Sequence, residues 1–205
     1  MQHYPAEGSS LDALLVLAHG AGAGEHHPFM VAMARGLAEH GIDVVTFEFA
    51  YMRQKRKAPD KAPVLEASFR EAVAEARGRG AMRLFIGGKS MGGRIATHLA
   101  AQGLEGLQGV VALGYPLHPP GRPDKPRVAH LPDIRVPVLI VQGERDSFGT
   151  PDELRSVIAR MPSRVTLHVI SQGDHSFAVP KSTGLTPKAV YATVVQTIVA
   201  WVQSV

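Results

Sequence analysis

Residues 83–93 read Arg-Leu-Phe-Ile-Gly-Gly-Lys-Ser-Met-Gly-Gly. A short apolar run reaches a serine flanked by glycines and passes directly into a helical pattern at 91–102. The five residues Gly88-Lys89-Ser90-Met91-Gly92 fit G-x-S-x-G, a sharp strand-to-helix turn that lifts a serine hydroxyl above the end of a sheet. The pattern alone is cheap, because a chain with 21 glycines in 205 residues meets it by chance roughly one time in ten. Its flanks give it weight. The backbone at such a serine is strained and crowded, so its neighbours must be small, and Gly88, Gly92 and Gly93 are. The helix start also directs free N–H groups and a positive dipole end at the hydroxyl. The bland reading, a glycine-rich turn with a capping serine, leaves the preceding strand and following helix unexplained.

Working outward, the same alternation repeats. Apolar runs at 13–18, 43–48, 83–87, 109–113, 136–141 and 165–170 are short enough for strands buried on both faces. Helical patterns lie between them at 28–40, 64–77, 91–102, 151–160 and 187–203. Thr150 and Thr186 stand where helix caps belong, each followed by proline. Strands alternating with helices predict an α/β fold, a three-layer sandwich around a mostly parallel sheet of about six strands, in one domain spanning 1–205. Three connections exceed the usual length, at 49–63, 114–135 and 171–186. All follow strands, so they are expected at the carboxyl edge of the sheet, where open α/β folds bind ligands.

Composition narrows the function. The chain has no cysteine, which removes disulfides, thiolate metal sites and a cysteine nucleophile. No apolar stretch reaches the length of a membrane span, and residues 1–10 lack the basic start and apolar core of a signal peptide. A cytoplasmic location is the expectation. The net charge of +4 is matched by one stretch, where Arg53, Lys55, Arg56, Lys57 and Lys61 oppose Asp60. A nucleic-acid binder would spread basic and aromatic residues over a face, so neither nucleic acid nor membrane is expected as a partner.

A serine hydroxyl needs a base and the base needs a carboxylate. Of ten histidines, His175 follows the last predicted strand, at the same edge as Ser90. Asp146 follows the 136–141 strand and its turn, giving the chain order serine, acid, histidine. Glu144 and Asp174 are the alternative acids. Two N–H donors are required for a developing oxyanion. Met91 follows the serine, and Ala21, with Gly22 as second choice, lies in the loop His19-Gly20-Ala21-Gly22-Ala23-Gly24 after the first predicted strand. That loop lacks the spacing of a phosphate-binding glycine loop. His26 and His27 lack the partners of a metal site, so no metal or cofactor is expected.

Taken together, the segments at 19–24, 88–93, 143–146 and 173–175 resemble the α/β-hydrolase superfamily over nearly the whole chain. In detail the chain looks like the short, lidless branch related to dienelactone hydrolases, with bacterial hydrolases and testis-expressed and chromatin-complex members in animals. The resemblance implies a serine hydrolase without a helical cap domain, acting on a small carboxylic ester or thioester. Two departures stand out. Dienelactone hydrolases proper use a cysteine nucleophile, absent here. The antiparallel strands that open the full fold also have no counterpart in the pattern, so the sheet is expected to begin with its parallel part. An interaction module built on the same fold, or acyl transfer or perhydrolysis on the same residues, are the other readings. Within the basic stretch, Tyr51 and Arg53 are candidates for binding an anionic part of the substrate, Arg53 through its planar fork.

Overall fold

The apolar runs become strands because both of their faces are covered. The computed structural model describes residues 1–79 and 83–205. Its parallel strands are β2 (Ala13–Ala18), β3 (Ile42–Phe47), β4 (Arg83–Lys89), β5 (Leu107–Leu113), β6 (Val138–Gly143) and β7 (Val165–Ile170). A further strand, β1 (Gln2–Tyr4), precedes them and pairs antiparallel with β3, Gln2 opposite Thr46 and Tyr4 opposite Val44. The sheet therefore has seven strands, in the order β1-β3-β2-β4-β5-β6-β7. The expectation that the sheet begins with its parallel part is corrected by β1. Three residues, Gln-His-Tyr, are too few and too polar to display an alternation. Their pairing is helped by a tertiary contact, His3 Nε2 lying 2.9 Å from Asp43 Oδ1.

The helices are α1 (Pro28–Ala38), α2 (Ala50–Arg53), α3 (Ala62–Arg77), α4 (Met91–Ala101), α5 (Pro151–Ile158) and α6 (Pro187–Ser204). The caps at Thr150 and Thr186 form. Thr150 makes a reciprocal capping box with Glu153, and Thr186 accepts from the Ala189 N–H at 3.2 Å. α2 is one short turn inside the 49–63 stretch and carries no apolar periodicity of its own.

Two cores flank the sheet. On one side α1 and α6 pack through Met33, Leu37, Val194, Ile198 and Trp201 onto Leu15, Phe85 and Val111. On the other, α3, α4 and α5 bury Phe69, Ile95, Leu99 and Leu154 against Val16, Ile86 and Val110. This is the three-layer arrangement. Trp201 is seated by the absence of a side chain: a Cβ on Gly109 would stand 2.6 Å from its Cη2. The indole meets the Phe85 ring edge-on at 5.8 Å. Chain order along the sheet reverses between β2 and β4. The loops that leave their carboxyl ends flank the crevice created there.

Because its slot exists only as a complement to the indole, Trp201→Ala is expected to leave a cavity. The cost is about 3–5 kcal/mol, with Tm falling by about 2–4 °C per kcal/mol in a chain of this size. A thermal melt of the variant within a degree or two of wild type would contradict this packing.

Candidate active site

Ser90 sits between β4 and α4 with φ 51° and ψ −113°, a conformation that costs a residue with a side chain about 1–3 kcal/mol. Two backbone bonds hold it. Its N–H donates to Leu113 O at 2.8 Å and its carbonyl accepts from Arg94 N at 3.0 Å. The glycines are steric necessities. A Cβ on Gly92 would come within 2.5 Å of Ala18 O and 2.7 Å of His19 O, both backbone atoms that cannot swing aside.

His175 approaches from the loop after β7, with Nε2 2.8 Å from Ser90 Oγ. Its Nδ1 lies 2.8 Å from Asp146 Oδ2. These partners assign the tautomer: Nδ1–H donates to the carboxylate, leaving Nε2 to accept from the serine hydroxyl. Asp146 is 1% exposed. It is held by Phe148 N–H on Oδ1 at 2.8 Å and Gln142 Nε2 on Oδ2 at 2.9 Å. The Phe148 ring stacks on the imidazole, 4.1 Å between centroids and 27° between planes. The other two acids are engaged elsewhere. Glu144 accepts from Ser171 Oγ and Gln172 N. Asp174 folds its own loop, accepting from Ser176 N and Ala178 N through Oδ1.

The cavity over Ser90 has a volume of about 590 Å³, and Ala21, Gly22 and Met91 line it. The Met91 N–H opens α4, where a helix has no internal acceptor to offer. The glycine loop is braced by His19, fully buried, whose Nδ1–H donates to Gly20 O at 2.8 Å while Nε2 accepts from Phe49 N–H at 3.2 Å. Burial holds its pKa below the ordinary range, consistent with a neutral ring in that role.

Tyr51 and Arg53, the candidates for binding an anionic part of the substrate, are not among the cavity-lining residues. The turn of α2 buries Tyr51 completely, its ring on His19 at 6.1 Å. Arg53 faces outward, toward Glu48 O at 3.3 Å and Glu71 at 3.9 Å. The cationic side chains that do line the cavity are Lys89, Arg94 and Arg127. Lys89 is the first variable residue of the serine motif. Its Nζ donates to the His175 carbonyl at 2.5 Å and lies 5.2 Å from the Phe177 ring centroid. Burial pulls its pKa down to about 8, against the raising influence of Asp146 and Asp174. Among the described residues no group of three or more His, Asp or Glu side chains could hold a metal, and no helix is long and apolar enough to cross a membrane.

A model of the alpha/beta hydrolase domain matches residues 11–203. The chain belongs to the alpha/beta hydrolase family. Solved structures share its fold at low identity. A dienelactone hydrolase from Anabaena variabilis superposes with a TM-score of 0.73 at 20% identity, covering 97% of this chain and 88% of that one. A Xanthomonas campestris serine hydrolase without a lid gives 0.71 at 19% identity, covering 98% and 85%. Est1E of Butyrivibrio proteoclasticus, solved with ferulic acid, gives 0.66 at 14%, covering 94% and 87%. This alpha/beta hydrolase carries no helical domain between β5 and β6. The connection holds one 3₁₀ turn, Leu131–Asp133.

Lys89 gives this alpha/beta hydrolase a measurable alkaline signature. With a folded pKa near 8 and an ordinary one of 10.5, the unfolded chain holds a proton between these values that the folded chain has released. Stability contributed by this group therefore rises with pH across that window. The Tm difference between wild type and Lys89→Met is expected to shift in favour of wild type from pH 7.5 to pH 10. The shift is on the order of 1 kcal/mol or more, about 2–4 °C. Parallel Tm curves for the two proteins would refute the buried ammonium.

Proposed function

We propose that this alpha/beta hydrolase is a serine esterase or thioesterase that works through an acyl-enzyme. The observation that carries the reading is the unbroken pair of 2.8 Å hydrogen bonds from Ser90 through His175 to Asp146. Ser90 Oγ attacks the substrate carbonyl carbon as its proton passes to His175 Nε2. The resulting oxyanion receives hydrogen bonds from the N–H groups of Met91 and Ala21. Collapse breaks the carbon–oxygen or carbon–sulfur bond, and the imidazolium returns its proton to the leaving group. Water repeats the sequence and frees the acid. Asp146 stays ionised and holds the ring's tautomer and orientation. The substrate is a small molecule, since the cavity is of a size suited to one. No step calls for a cofactor.

The supporting surroundings suit this use. Gln142 and Phe148 fix the carboxylate from two directions, and Lys89 pins the backbone of the histidine itself. An interaction module would gain nothing from a strained serine aimed at an ordered imidazole.

A fluorophosphonate probe is expected to label the folded protein on Ser90, and Ser90→Ala to abolish both labelling and p-nitrophenyl ester turnover. Folded wild-type protein that neither reacts with the probe nor turns over any ester would end the proposal. Asp146→Asn is expected to lower kcat by a factor on the order of 10⁴, whereas Glu144→Gln is expected to leave it within a few-fold. The reverse ranking would transfer the acid's role to Glu144.

A further inference from the structure

Two arginines, Arg94 and Arg127, line the cavity without a carboxylate in direct contact. Arg94 lies on α4 four residues after Ser90, one helical turn along the axis. Its side chain makes one hydrogen bond, Nη1 donating to His98 Nε2 at 3.2 Å. His98 in turn donates from Nδ1 to Glu66 at 2.8 Å. The relay orients the guanidinium and places the Glu66 charge one imidazole away, with no direct salt bridge between the two. Its Nε is buried and has no partner. Arg127 arrives from a different element, the proline-rich connection after β5. Its backbone is fixed twice: its N–H donates to Leu117 O at 2.7 Å, and its carbonyl accepts from the buried Tyr115 hydroxyl at 2.7 Å. Among the described residues neither arginine forms a salt bridge. The ion pairs among the described residues are built from other groups, including the His98–Glu66 pair beside Arg94.

This arrangement is costly without a ligand. Like charges repel, and burial, followed by the charge of Arg127, lowers the pKa of Arg94 against the raising influence of Tyr115 and Glu66. Asp60 also lines the cavity; its Oδ1 is held by Arg56 at 2.6 Å, and its Oδ2 is buried without a hydrogen-bond partner. A stretch of loop pinned by two hydrogen bonds to present one arginine beside another has a use when an anion completes the set.

We propose that Arg94 and Arg127 form a carboxylate-recognition subsite, so that the preferred substrates are esters or thioesters bearing a second, free carboxylate. The inference rests on the serine-hydrolase reading of the same cavity and adds the class of substrate. Two planar forks converging from a helix and a loop match the paired oxygens of a carboxylate. Both arginines line the cavity that holds Ser90, so the carboxylate belongs within the same small molecule as the carbonyl under attack, as in a succinyl or glutaryl half-ester.

The test compares two p-nitrophenyl esters of matched length: the half-ester of glutaric acid, with its free carboxylate, and the corresponding methyl-capped diester. Wild type is expected to prefer the anionic ester in kcat/KM, with the preference shrinking as salt is added. Arg127→Gln and Arg94→Gln are each expected to lower the ratio of anionic to neutral kcat/KM by about 10- to 100-fold. Using the ratio removes any general loss of active protein. Unchanged ratios in both variants, with the esters still hydrolysed, would overturn the subsite and leave the serine-hydrolase reading standing. If neither ester is turned over, titration of Ser90→Ala with glutarate decides separately. Binding that is lost on adding Arg127→Gln supports the subsite independently of the reaction, and no binding overturns it.

Discussion

The contact on which the active edge of this protein depends is between Gly92 and the carbonyls of Ala18 and His19. With backbone oxygens 2.5 and 2.7 Å from where a Cβ would stand, α4 can start only if it begins with residues that have almost no side chain. That closeness brings the start of the helix beside the end of β2, and the same closeness forces Ser90 into its positive-φ conformation. The glycine loop after β2 and the first N–H of α4 then face one cavity. Strain at the serine is sustained because the strands on both sides of β4 leave it no room to relax.

Around that turn, order is imposed by polar groups whose hydrogen bonds are made within the scaffold. Gln142 ends an apolar strand, yet its amide reaches Tyr115 N and O, Asp146 and the Gly149 carbonyl. One side chain thus ties the β5 and β6 loops to the carboxylate. His19 does the same for the β2 and β3 loops, and Lys89 for β4 and the histidine loop. Each buried polar residue joins two strand ends, so the cavity wall is set by the sheet.

The alternation of strands and helices was legible in the sequence because parallel strands buried on both faces are plain apolar runs. The convergence of Ser90, His175 and Asp146 was legible for a related reason: each follows a strand whose carboxyl end lies at one edge. What could not be read were features that local pattern does not encode. β1 is three polar residues recruited by pairing. Arg127 reaches the cavity through a proline-rich connection whose path is set by Tyr115 and Leu117. Arg94 carried a usable signal, being one turn past the serine on the same helix. Arg53 drew attention through charge density, but a short turn buries Tyr51 and directs Arg53 to solvent. Gln142 and Lys89 also left a trace, as polar residues where strand and turn should be apolar or small.

Phe148 serves twice, anchoring Asp146 through its N–H and lying flat on the His175 ring. An imidazole clamped between a carboxylate below and an arene alongside has one resting orientation. It has no second position from which to greet a departing group. Under the chemistry proposed here, the same Nε2 must meet both the incoming and the outgoing oxygen or sulfur from a fixed point. The departing atom must then leave on the face of the carbonyl that already looks toward the histidine. Handedness at the reacting carbon is thereby set in part by a phenyl ring in the cavity wall.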